Sequence, residues 1–126
     1  MANMEHRIVP HLWFDKEAKE AAEFYVSAFG SQSKINHVTT LHDTPSGDSD
    51  VVSFELAGYP FMAISGGPFF KFNPSISFFL SFDPSRNKNA RRNLDALWEQ
   101  LSRGGKALMP LGKYTFSEHY GWTEDR

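Results

Sequence analysis

The opening part of the chain changes from a strand-like to a helix-like hydrophobic pattern. The run Ile8–Phe14 is short, apolar and aromatic, which predicts a strand ending at Asp15. From Ala18 to Phe29, apolar residues recur every three or four positions, as on one face of an amphipathic helix. We expect Asp15 to be the N-cap of this helix and Gly30 to end it with a positive φ.

Three further strands are predicted before the middle of the chain. The apolar runs Val51–Leu56 and Pro60–Ser65 have the length and composition of strands, and a weaker strand is predicted over Lys34–Leu41. The segment Asp43–Asp50 is rich in turn formers and is interpreted as a loop. A tight turn, Ala57-Gly58-Tyr59, joins the last two strands. The first half therefore reads β-α-β-β-β.

The same order of elements begins again after Pro74. Ser75–Phe82 is predicted to be a strand ending at Asp83, and a helix follows. Gly104-Gly105 ends the helix, and extended segments follow over Lys106–Met109 and around Gly121–Asp125. The apolar stripe of this helix consists of Ala90, Leu94, Leu97, Trp98 and Leu101.

The repeated order predicts an α+β fold in which paired β-α-β-β-β modules form a cupped mixed sheet. We expect one domain over residues 1–126, with module one at about 8–65 and module two at about 75–126. A second half of equal length would extend past Arg126, so the last strand is expected to be absent or incomplete. Such a sheet has an open edge.

Strand alternation predicts which side chains face the cavity between the modules. In the first strand, Leu12 and Phe14 are expected under the helix, with His11 and Trp13 on the opposite face. In Ser75–Phe82, the alternate residues on the cavity face are Ser75, Ser77, Phe79 and Ser81. Hydroxyls so placed indicate a wet face or a ligand site, because a dry face rarely carries them.

Composition and charge narrow the functional classes. With 13 Lys+Arg against 15 Asp+Glu, the net charge of −2 gives no indication of nucleic-acid binding. No cysteine is present, which excludes disulfides, thiolate metal sites and a cysteine nucleophile. Apolar runs are too short for a membrane span, and no signal-peptide core precedes Ile8. We therefore expect a cytoplasmic protein without membrane contact, in which 12 Phe residues fill a core or line a pocket.

Several segments resemble one known family. The segments PHLWF, EAAEFY, PFMAISGGP, ISFF, LWEQLSRGGKALMPLGKY and FSEHYGW are similar to the PhnB-like family of the glyoxalase/bleomycin-resistance (vicinal oxygen chelate) superfamily. That family often carries the label 3-demethylubiquinone 3-methyltransferase. The resemblance implies the paired-module fold and a homodimer, but the superfamily contains isomerases, dioxygenases, thiol transferases and drug-binding proteins. The chain has no glycine-rich strand-to-helix loop that would hold adenosylmethionine.

The resemblance also implies where a metal would lie. Superfamily metal sites take one side chain from the opening strand of each module and carboxylates from later strands. His11 is a weak candidate ligand, whereas Ser65 and Ser77, at matching strands, are not strong ligands. We expect no cofactor, and a divalent metal is the less favoured alternative.

Two loops offer further candidates for ligand binding. The amides of Gly66 and Gly67 could receive an anion, or the glycines could simply supply positive φ. The rings of Phe69, Phe70 and Phe72, which follow these glycines, could form a lid over the cavity or a hydrophobic dimer interface. Lys113 could pair with a ligand carboxylate, and Glu118-His119 could supply a base with its orienting partner. The predicted ligand-binding residues are His11, Trp13, Phe61, Ser65, Gly66, Gly67, Phe70, Ser77, Phe79 and Lys113.

Three functions remain open at the level of sequence. The first is binding of a small organic molecule in an aromatic cleft by a PhnB-like protein. The alternatives are a metal-dependent isomerase or lyase of the glyoxalase type, and a non-catalytic dimer that sequesters a drug or metabolite.

Overall fold

The structure is a computed structural model that describes residues 8–45 and 47–125. It divides into two compact units, Met1–Phe72 and Asn73–Arg126. Neither helix of the described residues has the length and apolar character that crossing a membrane requires. The elements are β1 (His11–Phe14), α1 (Ala18–Phe29), β2 (Lys34–Thr44), β3 (Gly47–Leu56), β4 (Tyr59–Ser65), α2 (Ala90–Ser102), β5 (Lys106–Tyr114) and β6 (Ser117–Glu124).

The first unit is a β-α-β-β-β module, as the sequence predicts. Its four strands form one sheet in the order β1-β4-β3-β2. The β1–β4 pair is parallel and the other two pairs are antiparallel, so the sheet is mixed. Helix α1 is the crossover that a parallel pair needs, since two parallel strands cannot be joined by a tight turn.

One face of this sheet packs against α1 and forms the core. Ala18 and Ala22 are fully buried, because their small side chains let the helix lie close to Val52 and Phe54 of β3. Leu12 and Phe14 of β1 also pack against this cluster. The alternation predicted for the first strand is therefore confirmed, and His11 and Trp13 belong to the opposite face.

The start of α1 differs from the prediction. Asp15 is not its N-cap, because the helix begins at Ala18 with Glu17 as the preceding residue and no side-chain cap from the helix itself. Instead, the Ala18 N–H donates to the Ser65 hydroxyl oxygen at 3.1 Å. A cap from the end of β4 thus replaces the local one. At the other end, Gly30 has φ 68°, as predicted.

The predicted loop at Asp43–Asp50 is wrong, because β2 and β3 continue into it. Thr44 pairs with Gly47, so the two strands extend through most of the predicted loop. Polar residues can occupy this part of the ladder because its hydrogen bonds join backbone groups and do not depend on apolar side chains.

The second unit contains α2 and an antiparallel β5–β6 hairpin. Both strands are longer than predicted. The Trp98 ring of α2 lies against Gly121 of β6, where a Cβ atom would come within 2.5 Å of the ring. Glycine therefore lets the helix and the hairpin approach each other closely.

The α+β class is confirmed, but the predicted strand Ser75–Phe82 is not formed. Its side chains are largely exposed, including Ile76 at 78% and Phe79 at 80%. In the first unit, the corresponding strand β1 forms its backbone hydrogen bonds with β4, the last strand of the module. In the second unit, the sheet of the described residues contains β5 and β6 alone, and the segment pairs with neither strand.

Candidate ligand-binding site

The site is built where the parallel strands β1 and β4 end side by side. Phe14 lies opposite Ser65 in the register of the pair. The pairing continues past both strands, since the Gly66 N–H donates to the Phe14 carbonyl at 2.9 Å and the Gly67 N–H to the Asp15 carbonyl at 3.1 Å. The carboxyl ends of parallel strands are a frequent place for ligands in mixed and parallel sheets.

A pocket of about 570 Å³ opens at this end of the first unit. The start of β3 forms its third side, because Val51 lies opposite Ile64 and brings the preceding residues beside the end of β4. The pocket is lined by Asp15, Lys16, Asp48, Asp50, Ser65, Gly67, Pro68 and Phe69.

Trp13 holds Gly67, one of the lining residues of this pocket, in position. Its indole Nε1–H donates to the Gly67 carbonyl oxygen at 2.9 Å. The ring lies so close to Gly66 that a Cβ there would be 2.5 Å from the indole Cη2. Phe70 meets the indole edge-on, with 5.1 Å between ring centroids. The structure therefore brings together Trp13, both predicted glycines and Phe70.

The glycine amides are not available to an anion. Both N–H groups already donate to backbone carbonyls of Phe14 and Asp15. The anion interpretation is therefore wrong for these groups, whereas the alternative of a loop that needs positive φ is confirmed at Gly67, where φ is 100°.

Acidic side chains dominate the charge of the pocket lining. The His42 Nδ1 lies 3.1 Å from a carboxylate oxygen of Asp48. Asp50 accepts a hydrogen bond from the Thr40 hydroxyl at 2.9 Å. Asp15 is half-buried, and within residues 8–45 and 47–125 no side chain pairs with its carboxylate. Three carboxylates and one lysine ammonium leave the lining with a formal charge of −2 when His42 is neutral.

Other predicted residues of the first unit have different surroundings. Phe61 stacks on Phe54 in the core, with 5.6 Å between centroids, so it lies on the helix-packed face and not beside Trp13. Ser65 lines the pocket but its oxygen also caps α1. His11 is exposed on the Trp13 face. The rings of Phe69 and Phe70 are 61% and 66% exposed, which confirms that they lie at an edge and not in the core.

Three predicted residues belong to the second unit. Ser77 and Lys113 are exposed there. Phe79 is also exposed, and its ring centroid is 6.5 Å from that of Tyr120. The ligand contacts predicted for these three residues stay predictions.

His119 has a partner that the sequence did not indicate. Its Nε2 lies 2.6 Å from an Asp95 carboxylate oxygen on α2, and the Arg91 Nε lies 3.8 Å from the other oxygen. The predicted Glu118–His119 pair is thus replaced by a pair between the hairpin and the helix. Local sequence cannot reveal this pairing, because the two residues are distant in the chain and meet only after α2 packs on β6.

The metal site of the superfamily finds no matching ligand set here. Within the described ranges, no three His, Asp or Glu side chains lie close enough together to hold a metal ion. His11, the weak candidate ligand, belongs to no such group among the described residues. The residues present do not fit the metal, and no chemistry is derived through it.

The four charged lining residues were missed by sequence reasoning. The sequence pattern predicts a helix cap at Asp15 and a loop at Asp48 and Asp50, and it gives no indication for Lys16. The available signal was their position. Asp15 and Lys16 directly follow β1, and Asp48 and Asp50 lie at the start of the strand that pairs with β4.

A β-α-β-β-β module followed by a helix and a hairpin defines a small α+β protein. The chain belongs to the 3-demethylubiquinone-9 3-methyltransferase family, whose model matches residues 6–126. The resemblance to PhnB-like proteins is thereby confirmed.

Solved structures agree with this assignment. The PhnB protein from Bacillus cereus is 29% identical, with a TM-score of 0.78 over 94% of this chain and 91% of that one. Protein PA1353 from Pseudomonas aeruginosa is 19% identical, with a TM-score of 0.71 over 95% of this chain and 90% of that one, and shows a likeness of fold. Among curated proteins, no match to the chain is found.

Proposed function

We propose that this protein binds a small organic molecule in the pocket at the ends of β1 and β4. The observation that carries the proposal is a concave site of about 570 Å³ that contains two of the predicted ligand residues, Ser65 and Gly67. Pockets for small ligands commonly enclose roughly 300–1,000 Å³ and combine apolar walls with a few placed polar groups.

The residues around the pocket support binding in distinct ways. Pro68 and Phe69 offer apolar contact at the rim. Trp13 holds the Gly67 carbonyl in place and is itself held by Gly66 and Phe70, so this wall is formed before a ligand arrives. A preformed wall lowers the ordering cost of binding.

A metabolite screen tests the proposal. Binding should raise the melting temperature by mass action and move the indole N–H resonance of Trp13, which a Trp13→Phe variant assigns. Phe69→Ala should weaken binding by about fivefold or more through loss of rim contact. Tyr59→Ala is the matched control, because Tyr59 is an equally exposed ring at the β3–β4 turn.

The proposal is refuted if no compound of a broad metabolite set changes the melting temperature or the indole N–H resonance of Trp13. Adenosylmethionine belongs in that set because the family description names methyl transfer. Recovery of the bound compound unchanged supports a binding or sequestering role, whereas its conversion shows an enzyme.

The homodimer implied by the family is also proposed here. The exposed side chains of Ile76 and Phe79 support it, because isolated chains rarely leave such apolar surface in water. Light scattering should give twice the chain mass, and Phe79→Asp should shift the mass toward that of one chain. A native mass of one chain at micromolar concentration would contradict the dimer.

A further inference from the structure

We infer that the pocket at the ends of β1 and β4 selects organic cations, namely an ammonium group carried on a small apolar frame. This inference rests on the proposed function and adds the charge of the ligand to it. Asp15, Asp48 and Asp50 line the pocket against a single lysine, Lys16.

The carboxylate of Asp15 is the principal determinant. It is half-buried at the end of β1, and no side chain of the described residues pairs with it. Asp50 accepts a hydrogen bond from the neutral Thr40 hydroxyl at 2.9 Å, and no ion pair among the described residues compensates its charge. Both carboxylates line the same pocket, and a ligand ammonium bound there would compensate charges that no cationic side chain of the described residues pairs with.

Groups that would receive an anion are already used. The N–H groups of Gly66 and Gly67 donate to backbone carbonyls. The first N–H of α1, at Ala18, donates to the Ser65 hydroxyl oxygen. The helix N-terminus and the glycine loop therefore offer an anion no donor at these three amides, and its repulsion by the carboxylates is not offset.

The apolar part of the ligand has its own contacts. Phe69 and Pro68 line the same pocket as the carboxylates. An aromatic face also attracts a cation, so the ring of Phe69 favours an ammonium over a neutral group of the same shape. Carboxylates and ring together thus point to an aryl-alkyl or alkyl amine.

Three probes of nearly equal size test the inference by isothermal titration: 2-phenylethylamine, 2-phenylethanol and 3-phenylpropionate. At neutral pH the first is a cation, the second neutral and the third an anion. We expect the amine to bind at least about tenfold more tightly than the alcohol, and the anion to bind most weakly. Raising NaCl from about 0.05 M to about 0.5 M should weaken the amine alone.

Asp15→Asn should weaken amine binding about five- to tenfold and change alcohol binding by less than about twofold. Asp43→Asn is the matched control, because Asp43 is exposed outside the pocket and its replacement changes the net charge equally. Asp50→Asn is the second variant if circular dichroism shows that Asp15→Asn does not fold.

The outcomes separate the two proposals. Equal affinity for amine and alcohol, or equal effects of Asp15→Asn and Asp43→Asn, overturns cation selection and leaves small-molecule binding standing. Cation selection is also overturned if none of the three probes binds while neutral or anionic compounds of the metabolite set do bind. Failure of every compound, these probes included, overturns both.

Discussion

The contact between Gly66 and Trp13 gives the sharpest stability prediction. In Gly66→Ala, the new Cβ would lie 2.5 Å from the indole Cη2 and 2.6 Å from Cζ2. Atoms cannot remain at that separation, so the indole must move. Because the indole Nε1–H donates to the Gly67 carbonyl at 2.9 Å, that movement also breaks a part-buried hydrogen bond.

The expected loss combines two effects. Overpacking of this kind costs about 1–3 kcal/mol, and the lost hydrogen bond adds about 0.5–1.5 kcal/mol. We therefore expect Gly66→Ala to lower the free energy of unfolding by about 1.5–4.5 kcal/mol in urea denaturation followed by tryptophan fluorescence. Gly112→Ala is the control, because a Cβ at Gly112 meets nothing within 4 Å and no positive φ is required there.

A double-mutant cycle isolates the cause. In a Trp13→Leu background the indole is gone, so Gly66→Ala should cost less than about 1 kcal/mol. If Gly66→Ala proved as stable as the wild-type protein, or cost the same with and without the indole, the close approach of Trp13 to Gly66 would not exist as described.

Three further outcomes follow from the described contacts. Ser65→Ala removes the acceptor for the Ala18 N–H, so urea denaturation should show a loss of about 0.5–2 kcal/mol, and a change within error would rule out the cap. The pair of His119 and Asp95 is part-exposed, at 16% and 49%, so a cycle of His119→Gln and Asp95→Asn should give a coupling of only about 0.5–1 kcal/mol, and additivity would show that the pair contributes nothing. Hydrogen bonds from the Ser85 hydroxyl, and then from its backbone N–H, lower the pKa of Asp83 from its ordinary value of 3.8. The stability that this carboxylate contributes is therefore present above pH 3.8 and is lost as the pH falls through the lower folded pKa. In Ser85→Ala, an NMR titration should show a higher pKa for Asp83. An unchanged midpoint would contradict the contact.

Residues close together in sequence were the reliable guides to the fold. The period of apolar residues between Ala18 and Phe29 predicts α1, and Gly30 predicts its end, because both depend on interactions within one or two turns. Alternation in β1 likewise separates Leu12 from Trp13 correctly. These features need no knowledge of what the chain later contacts.

The candidate site was recovered only in part for the opposite reason. Trp13, Gly66 and Phe70 were expected to bind a ligand, and they do form one cluster. The acidic lining was missed because Asp15 and Asp50 become neighbours of the same pocket only through the parallel pairing of β1 with β4 and the antiparallel pairing of β4 with β3.

Composition, hydrophobic period and turn residues were thus sufficient for the α+β class, the two helices and most strands. Pairing partners decided the rest. Ser75–Phe82 has the side chains of a strand but no ladder, and Ser65 caps a helix that lies far away in sequence. A backbone segment becomes a strand, and a hydroxyl becomes a cap, only when distant groups arrive to complete the hydrogen bonds, and that arrival is a property of the folded chain.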